Sequence, residues 1–135
     1  MDHGTCLDEI ERHALRLTRE ILEMPAENSE HPDLFHLRPS GKMRIISVDK
    51  TRNLIGDLNR SSNQGGAKVA LLHESDRMKK EASNAFLKTL EEPPPETYLF
   101  LLTIRPYSIL PTIRSRCIQV RISASHARPV DPDWE

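Results

Sequence analysis

Residues 68–73, Lys-Val-Ala-Leu-Leu-His, and residues 97–103, Thr-Tyr-Leu-Phe-Leu-Leu-Thr, decide the reading of this chain. Both runs are continuously apolar instead of alternating, the pattern of strands buried on both faces of a parallel sheet. Between them Met78, Ala82, Ala85, Phe86 and Leu90 recur at helical spacing, and Pro93-Pro94-Pro95 stops the segment. Strand, helix and strand in this order form a parallel crossover.

Working outward, residues 33–37, Asp-Leu-Phe-His-Leu, predict another strand, closed by the Arg38-Pro39-Ser40-Gly41 turn. Residues 44–46 predict an extended piece. Val48, Thr51, Leu54, Ile55 and Leu58 form a helical stripe with Ser47 as N-cap and Asp49 in the first turn. Residues 61–66 read as a flexible connection. Upstream, Leu7, Ile10, Ala14, Leu17, Ile21 and Met24 line one helix face. Asp8, Glu9 and Glu11 fall in its first turn, where the helix dipole suits them, and Pro25 ends it. Downstream, residues 74–77 turn the chain and Asp76 is the expected N-cap of the third helix. Residues 105–111 predict a loop with a helical turn, and residues 117–122, Cys-Ile-Gln-Val-Arg-Ile, a last strand. The order helix, strand, helix, strand, helix, strand, strand predicts an α/β parallel sheet with helices on both faces. Residues 1–122 read as one domain and 123–135 as a polar tail without fixed structure.

The chain has 135 residues, Lys+Arg 19 against Asp+Glu 20, 37% hydrophobic and 29% charged residues. No apolar stretch approaches the roughly 20 residues of a membrane span. No basic and apolar leader is visible at the N-terminus. Cys6 and Cys117 suit neither a disulfide framework nor a zinc site, which predicts a reduced, cytoplasmic protein. The near-zero net charge hides an asymmetry. Residues 7–30 hold seven acids and three arginines, whereas residues 97–130 hold Arg105, Arg114, Arg116, Arg121 and Arg128 and no acid. That end either faces an anion or is a solvated surface.

The chemistry narrows by elimination. A phosphate loop needs Gly-x-x-x-x-Gly-Lys-Ser/Thr ahead of a helix. Gly41-Lys42 is followed by Met43 and has His36 at the first glycine position; Gly65-Gly66 precedes a strand. Neither qualifies. ATPases of this architecture end an apolar strand in Asp-Glu, the Asp serving magnesium and the Glu the attacking water. Here the strand ends in His73-Glu74. Neutral imidazole does not replace a carboxylate for hard magnesium, and Glu74 is equally well read as an exposed strand-end acid or a cap partner. Arg116, after Pro111-Thr112-Ile113-Arg114-Ser115, stands where a guanidinium could reach a neighbouring subunit's γ-phosphate, or simply covers the surface. The histidines show no metal-binding spacing and read as solvated or loop residues. No nucleophile elbow exists, and Cys117 reads as core. The six aromatic residues do not interleave with the basic cluster, which disfavours base stacking.

Three pieces together carry a resemblance. They are Gly65-Gly66-Ala67-Lys68-Val69, then Ala85-Phe86-Leu87-Lys88-Thr89-Leu90-Glu91-Glu92-Pro93-Pro94, then Thr112-Ile113-Arg114-Ser115-Arg116-Cys117. With His31-Pro32-Asp33-Leu34 and Leu37-Arg38-Pro39 ahead of them, residues 31–122 resemble the bacterial DNA polymerase III clamp-loader AAA+ family, closest to its delta-prime branch. The resemblance implies a partial P-loop NTPase fold lacking the first strand and the phosphate loop. The family's cysteine-rich zinc insertion, its lid and its C-terminal oligomerisation segment are not recognisable either.

The resemblance further implies a hetero-oligomeric ring with other clamp-loader subunits, acting through the complex on a sliding clamp and primed DNA, with no membrane partner. Arg116 would act in trans as an arginine finger on the ATP and magnesium of a neighbour. This chain would bind no cofactor and have no ATPase activity of its own, while forming part of a DNA-directed DNA polymerase holoenzyme. His73 and Glu74 would be a degenerate strand-end box and Thr103 a sensor-like residue, with Ile104 its rival for that position. A stator-type, non-catalytic subunit fits His73. Two alternatives remain: a fragment of an active gamma/tau-type ATPase whose phosphate loop lies upstream, and a small nucleic-acid-associated domain using its basic end.

Overall fold

The computed structural model describes residues 3–60, 62 and 66–122, with side chains from residue 7 onward. The chain forms α1 (His3–Leu22), β1 (Leu34–Leu37), α2 (Val48–Leu58), β2 (Lys68–Leu72), α3 (Lys80–Glu91), β3 (Thr97–Leu101) and a single turn, α4 (Pro111–Arg114). Short 3-10 turns lie at Ser75–Arg77 and Pro106–Ser108. β2 is central because it has least to expose: Val69, Ala70, Leu71 and Leu72 are all at most 1% exposed. It pairs in parallel with β1, Leu37 opposite Leu72, and with β3, Leu72 opposite Leu101. The sheet order is β1-β2-β3.

Strand alternation sorts the side chains into two layers. Leu37, Ala70 and Leu72 face α2 and α3, where Leu54, Leu58, Ala82 and Phe86 close the larger core and Ile113 of α4 joins it. Leu34, Val69 and Leu71 face α1 and pack on Ala14, with Ile10 and Ile21 alongside. Helices thus cover both faces and bury β2 throughout, whereas β3, read from its apolar run as buried on both faces, is an edge strand only partly buried, with Tyr98 46% exposed. Fully burying one such aliphatic side chain contributes roughly 1.5–3 kcal/mol. The two ends of α2 are fastened from outside the helix. Ser47 Oγ accepts the Lys50 N–H at 3.2 Å, and the buried Lys68 ammonium donates to Leu58 O and Arg60 O at the negative end of the dipole.

The structure differs from the sequence reading in other places too; Arg44 takes a left-handed φ of 50° in a turn, so of residues 44–46 only Ile45 and Ile46 make bridges. α1 starts at His3, so Asp8, Glu9 and Glu11 lie beyond its first turn and the dipole argument does not apply to them. It also stops before Pro25: Glu23 takes a left-handed φ of 55° and the Met24 N–H reaches back to Arg19 O at 2.9 Å, a Schellman-type end. Asp76 is not the cap of α3; Lys79 occupies that position and Asp76 sits in the 3-10 turn. Residues 117–122 form no strand. Their alternation needs a ladder to join, and among the described residues the outer edge of β3 offers no strand between them. Ile118 is left 95% exposed. The polar tail and most of the connection at 61–66 lie outside the described residues.

Candidate functional site

His73 follows the last residue of β2 and, by alternation with Val69 and Leu71, points toward α1. His36 of β1 points the same way, opposite Leu71. Parallel pairing therefore brings two imidazoles that are distant in sequence into a stack, with ring centroids 5.1 Å apart. His36 Nδ1 lies 2.9 Å from His73 Nε2. His73 Nδ1 lies 2.9 Å from a Glu11 carboxylate oxygen, and Arg38 approaches the same oxygen at 3.5 Å. Burial pushes the pKa of His73 down to about 4, with the Arg38 charge and the His36 ring adding to the effect. Burial and Arg38 also lower that of His36, opposed by Glu30 and Glu11. Both rings are therefore neutral near pH 7. The consistent tautomers then form a directed chain: His36 Nδ1–H donates to His73 Nε2, and His73 Nδ1–H donates to Glu11. His36 Nε2 is left buried without a hydrogen-bond partner. This overturns the reading of these two histidines as solvated.

The rest of the carboxyl edge is engaged internally. Glu74 has a left-handed φ of 48° and its carboxylate accepts from Arg44 at 2.5 Å. The Thr103 hydroxyl donates to Asp76 at 2.5 Å and accepts the Arg105 N–H at 2.9 Å. Ser75 N–H donates to Leu102 O at 2.9 Å, joining the two strand ends. Ile104 follows, partly buried. Between this edge and α1 lies a cavity of about 180 Å³ lined by Asp8, Glu11, Arg38, His73 and Glu74 with two leucines. Of its three carboxylates, Glu11 faces Arg38 and Glu74 is held by Arg44. His73, with both nitrogens engaged, has no oxygen donor for magnesium. His73 therefore does not fit the place of a magnesium-serving carboxylate. Among the described residues no group of three His, Cys, Asp or Glu side chains has metal-holding geometry, and no helix is long and apolar enough to cross a membrane.

Arg116 lies elsewhere. α3 is the crossover between two parallel strands, so it runs from their carboxyl ends back toward their amino ends. Glu91, its last residue, receives Arg116: Nε donates to Glu91 Oε2 at 2.8 Å, Nη2 lies 2.7 Å from the same oxygen, and Nη1 donates to Thr112 O at 2.6 Å. The loop toward Arg116 starts at the carboxyl edge, but α4 carries Arg116 away from it. The structure thus unites His73, Glu74 and Thr103 and sets Arg116, with 36% of its side chain exposed, apart from them. The basic end is also less available than its sequence suggests. Arg105 approaches Asp76 at 3.8 Å and Arg114 lies over the Tyr107 ring at 5.0 Å. Cys117 Sγ is within 3.3 Å of Ile113 O, and burial raises its pKa, the opposite of an activated thiol.

Sequence reasoning missed Glu11, His36 and Glu91. The strand parity that puts His36 and His73 on one face was legible once β1 and β2 were neighbours. Glu11 and Glu91 meet their partners only through packing of helices, which no local spacing shows.

A family model described as DNA polymerase III, delta subunit, matches residues 6–126. The chain belongs to the delta-prime-like clamp-loader family of DNA polymerase III. It is 45% identical over 89 residues to the DNA polymerase III subunit delta' of Pseudomonas aeruginosa, covering 66% of this chain and 27% of that protein. To the Escherichia coli subunit delta' it is 44% identical over 87 residues, 64% of this chain and 26% of the relative. The Escherichia coli subunit tau matches at 33% over 98 residues, 73% of this chain and 15% of the relative. The chain therefore spans about a quarter of the length of the delta-prime relatives it matches. The fold agrees with the crystal structure of a DNA polymerase III, gamma subunit-related protein from Thermotoga maritima. The TM-score is 0.77 at 32% identity, over 88% of this chain and 38% of that one.

Proposed function

We propose that this delta-prime-family chain is a non-catalytic, stator-type clamp-loader subunit of the DNA polymerase III holoenzyme. It binds no ATP itself. It works in the cytoplasm within a ring of other clamp-loader subunits, supports loading of a sliding clamp on primed DNA, and donates Arg116 to the ATP site of its neighbour. The observation that carries this reading is the state of His73: buried, neutral and held by Glu11 and His36 where an ATPase of this fold needs a free carboxylate. Family membership and the exposed, pre-arranged guanidinium of Arg116 support the trans role. In a clamp loader reconstituted with its cognate subunits, Arg116→Ala should leave assembly intact and lower ATP hydrolysis by about tenfold or more, since such fingers act on the transferring phosphoryl group. Unchanged hydrolysis would remove Arg116 from the reaction.

The likeness to tau and to the gamma-related structure favours a second reading, part of an active gamma/tau-type ATPase. Specific ATP binding by the protein outside the complex would support it and contradict the first reading.

A further inference from the structure

We infer that Glu91 is the positioning residue for Arg116; this rests on the reading of Arg116 as an arginine acting on a partner's phosphate. Arginine carries five N–H donors. Here Nε and Nη2 converge on one oxygen of Glu91, and Nη1 is fixed by Thr112 O one helical turn earlier. Two anchors on two elements, α3 and α4, define both the plane and the direction of the guanidinium. Nη1 also donates to Ser115 Oγ at 3.4 Å, so the N–H left for an incoming phosphate is on Nη2. The anchors are mutually rigid because Ile113 of α4 and Phe86 of α3 are fully buried in the same core.

The placement of Glu91 is itself informative. A carboxylate in the last turn of a helix lies at the negative end of the dipole, where cations are favoured. Its neighbour Glu92 caps the helix through its backbone N–H to Lys88 O. The cost of a carboxylate at Glu91 is offset by the guanidinium 25 residues further on. An arginine left to rotate freely would have to lose its side-chain freedom each time a phosphate arrived. Glu91 removes that freedom in advance, while remaining 47% exposed beside a 36% exposed arginine, both open to a partner surface.

The test is a double-mutant cycle in the reconstituted clamp loader, reading ATP hydrolysis. Glu91→Ala and Glu91→Lys should each lower kcat about two- to fivefold, the range of an exposed ion pair, with KM for ATP unchanged. Glu91→Gln, which keeps an acceptor oxygen, should restore most of the rate. In an Arg116→Ala background none of the three should have a further effect. If Arg116→Ala alone changes nothing, the trans-arginine reading fails. If Arg116→Ala lowers the rate but the Glu91 variants do not, or they lower it equally without the arginine, only the positioning role is lost. A rise in rate on removing Glu91 would make it a restraint and would also overturn the inference.

Discussion

Acidification should loosen the docking of α1 through the Glu11–His73–His36 chain. His73 has a pKa of about 4 in the folded chain against an ordinary 6.5. Between those values the unfolded chain binds protons that the folded one refuses. Stability therefore rises with pH across this window and is complete above about 6.5. At ~1.4 kcal/mol per pKa unit the contribution is about 3 kcal/mol. Glu11, 2.9 Å from His73 Nδ1, favours the charged ring and makes this an upper bound. Against a total of about 5–15 kcal/mol for a domain, the loss is large. Urea unfolding followed by far-UV circular dichroism, at a series of pH values from about 7.5 to 4, measures it. Other carboxylates titrate in the same range, so the readout is the difference between the wild type and His73→Gln. The wild type should lose more stability than the variant on going to low pH. Parallel pH profiles would refute the assignment of a buried, neutral His73.

Lys68→Met removes the cation that closes the C-terminus of α2 and leaves Leu58 O and Arg60 O unanswered. Urea midpoints should show a loss of about 1–3 kcal/mol. Phe86, with no exposed surface in the core beneath α3, should cost about 3–5 kcal/mol when changed to Ala and much less as Leu, again by urea titration. The chain by itself, with the outer edge of β3 open among the described residues, should melt near physiological temperature; a sharp thermal transition far above it would contradict that.

Much of the fold was legible because burial leaves a local trace, complete on both faces for β2 and partial for β3. The unbroken apolar runs of β2 and β3, the stripe from Met78 to Leu90 and the cap at Ser47 are decided by neighbours a few residues away. What failed depended on distant partners. Residues 117–122 have a strand's alternation, but alternation does not supply a ladder. Asp76 has a cap's chemistry, yet Thr103, brought over by β3, competes for it and wins. α1 begins earlier than its apolar stripe because helical hydrogen bonds extend past the last residue that needs burial. At the site, His73 and Glu74 were recognisable from their place after an apolar strand, and Arg116 from its motif. Their actual states, set by Glu11, His36, Arg44 and Glu91, come from contacts between elements.

The most direct measurement is the structure of the assembled, ATP-analogue-bound clamp loader containing this subunit. The guanidinium of Arg116 should lie at hydrogen-bond distance, about 3 Å, from the γ-phosphate of a nucleotide held by the neighbouring subunit, with His73 still on Glu11. Nucleotide phosphates seated against His73 and Glu74 of this chain, or Arg116 turned away from the neighbour's nucleotide, would contradict it.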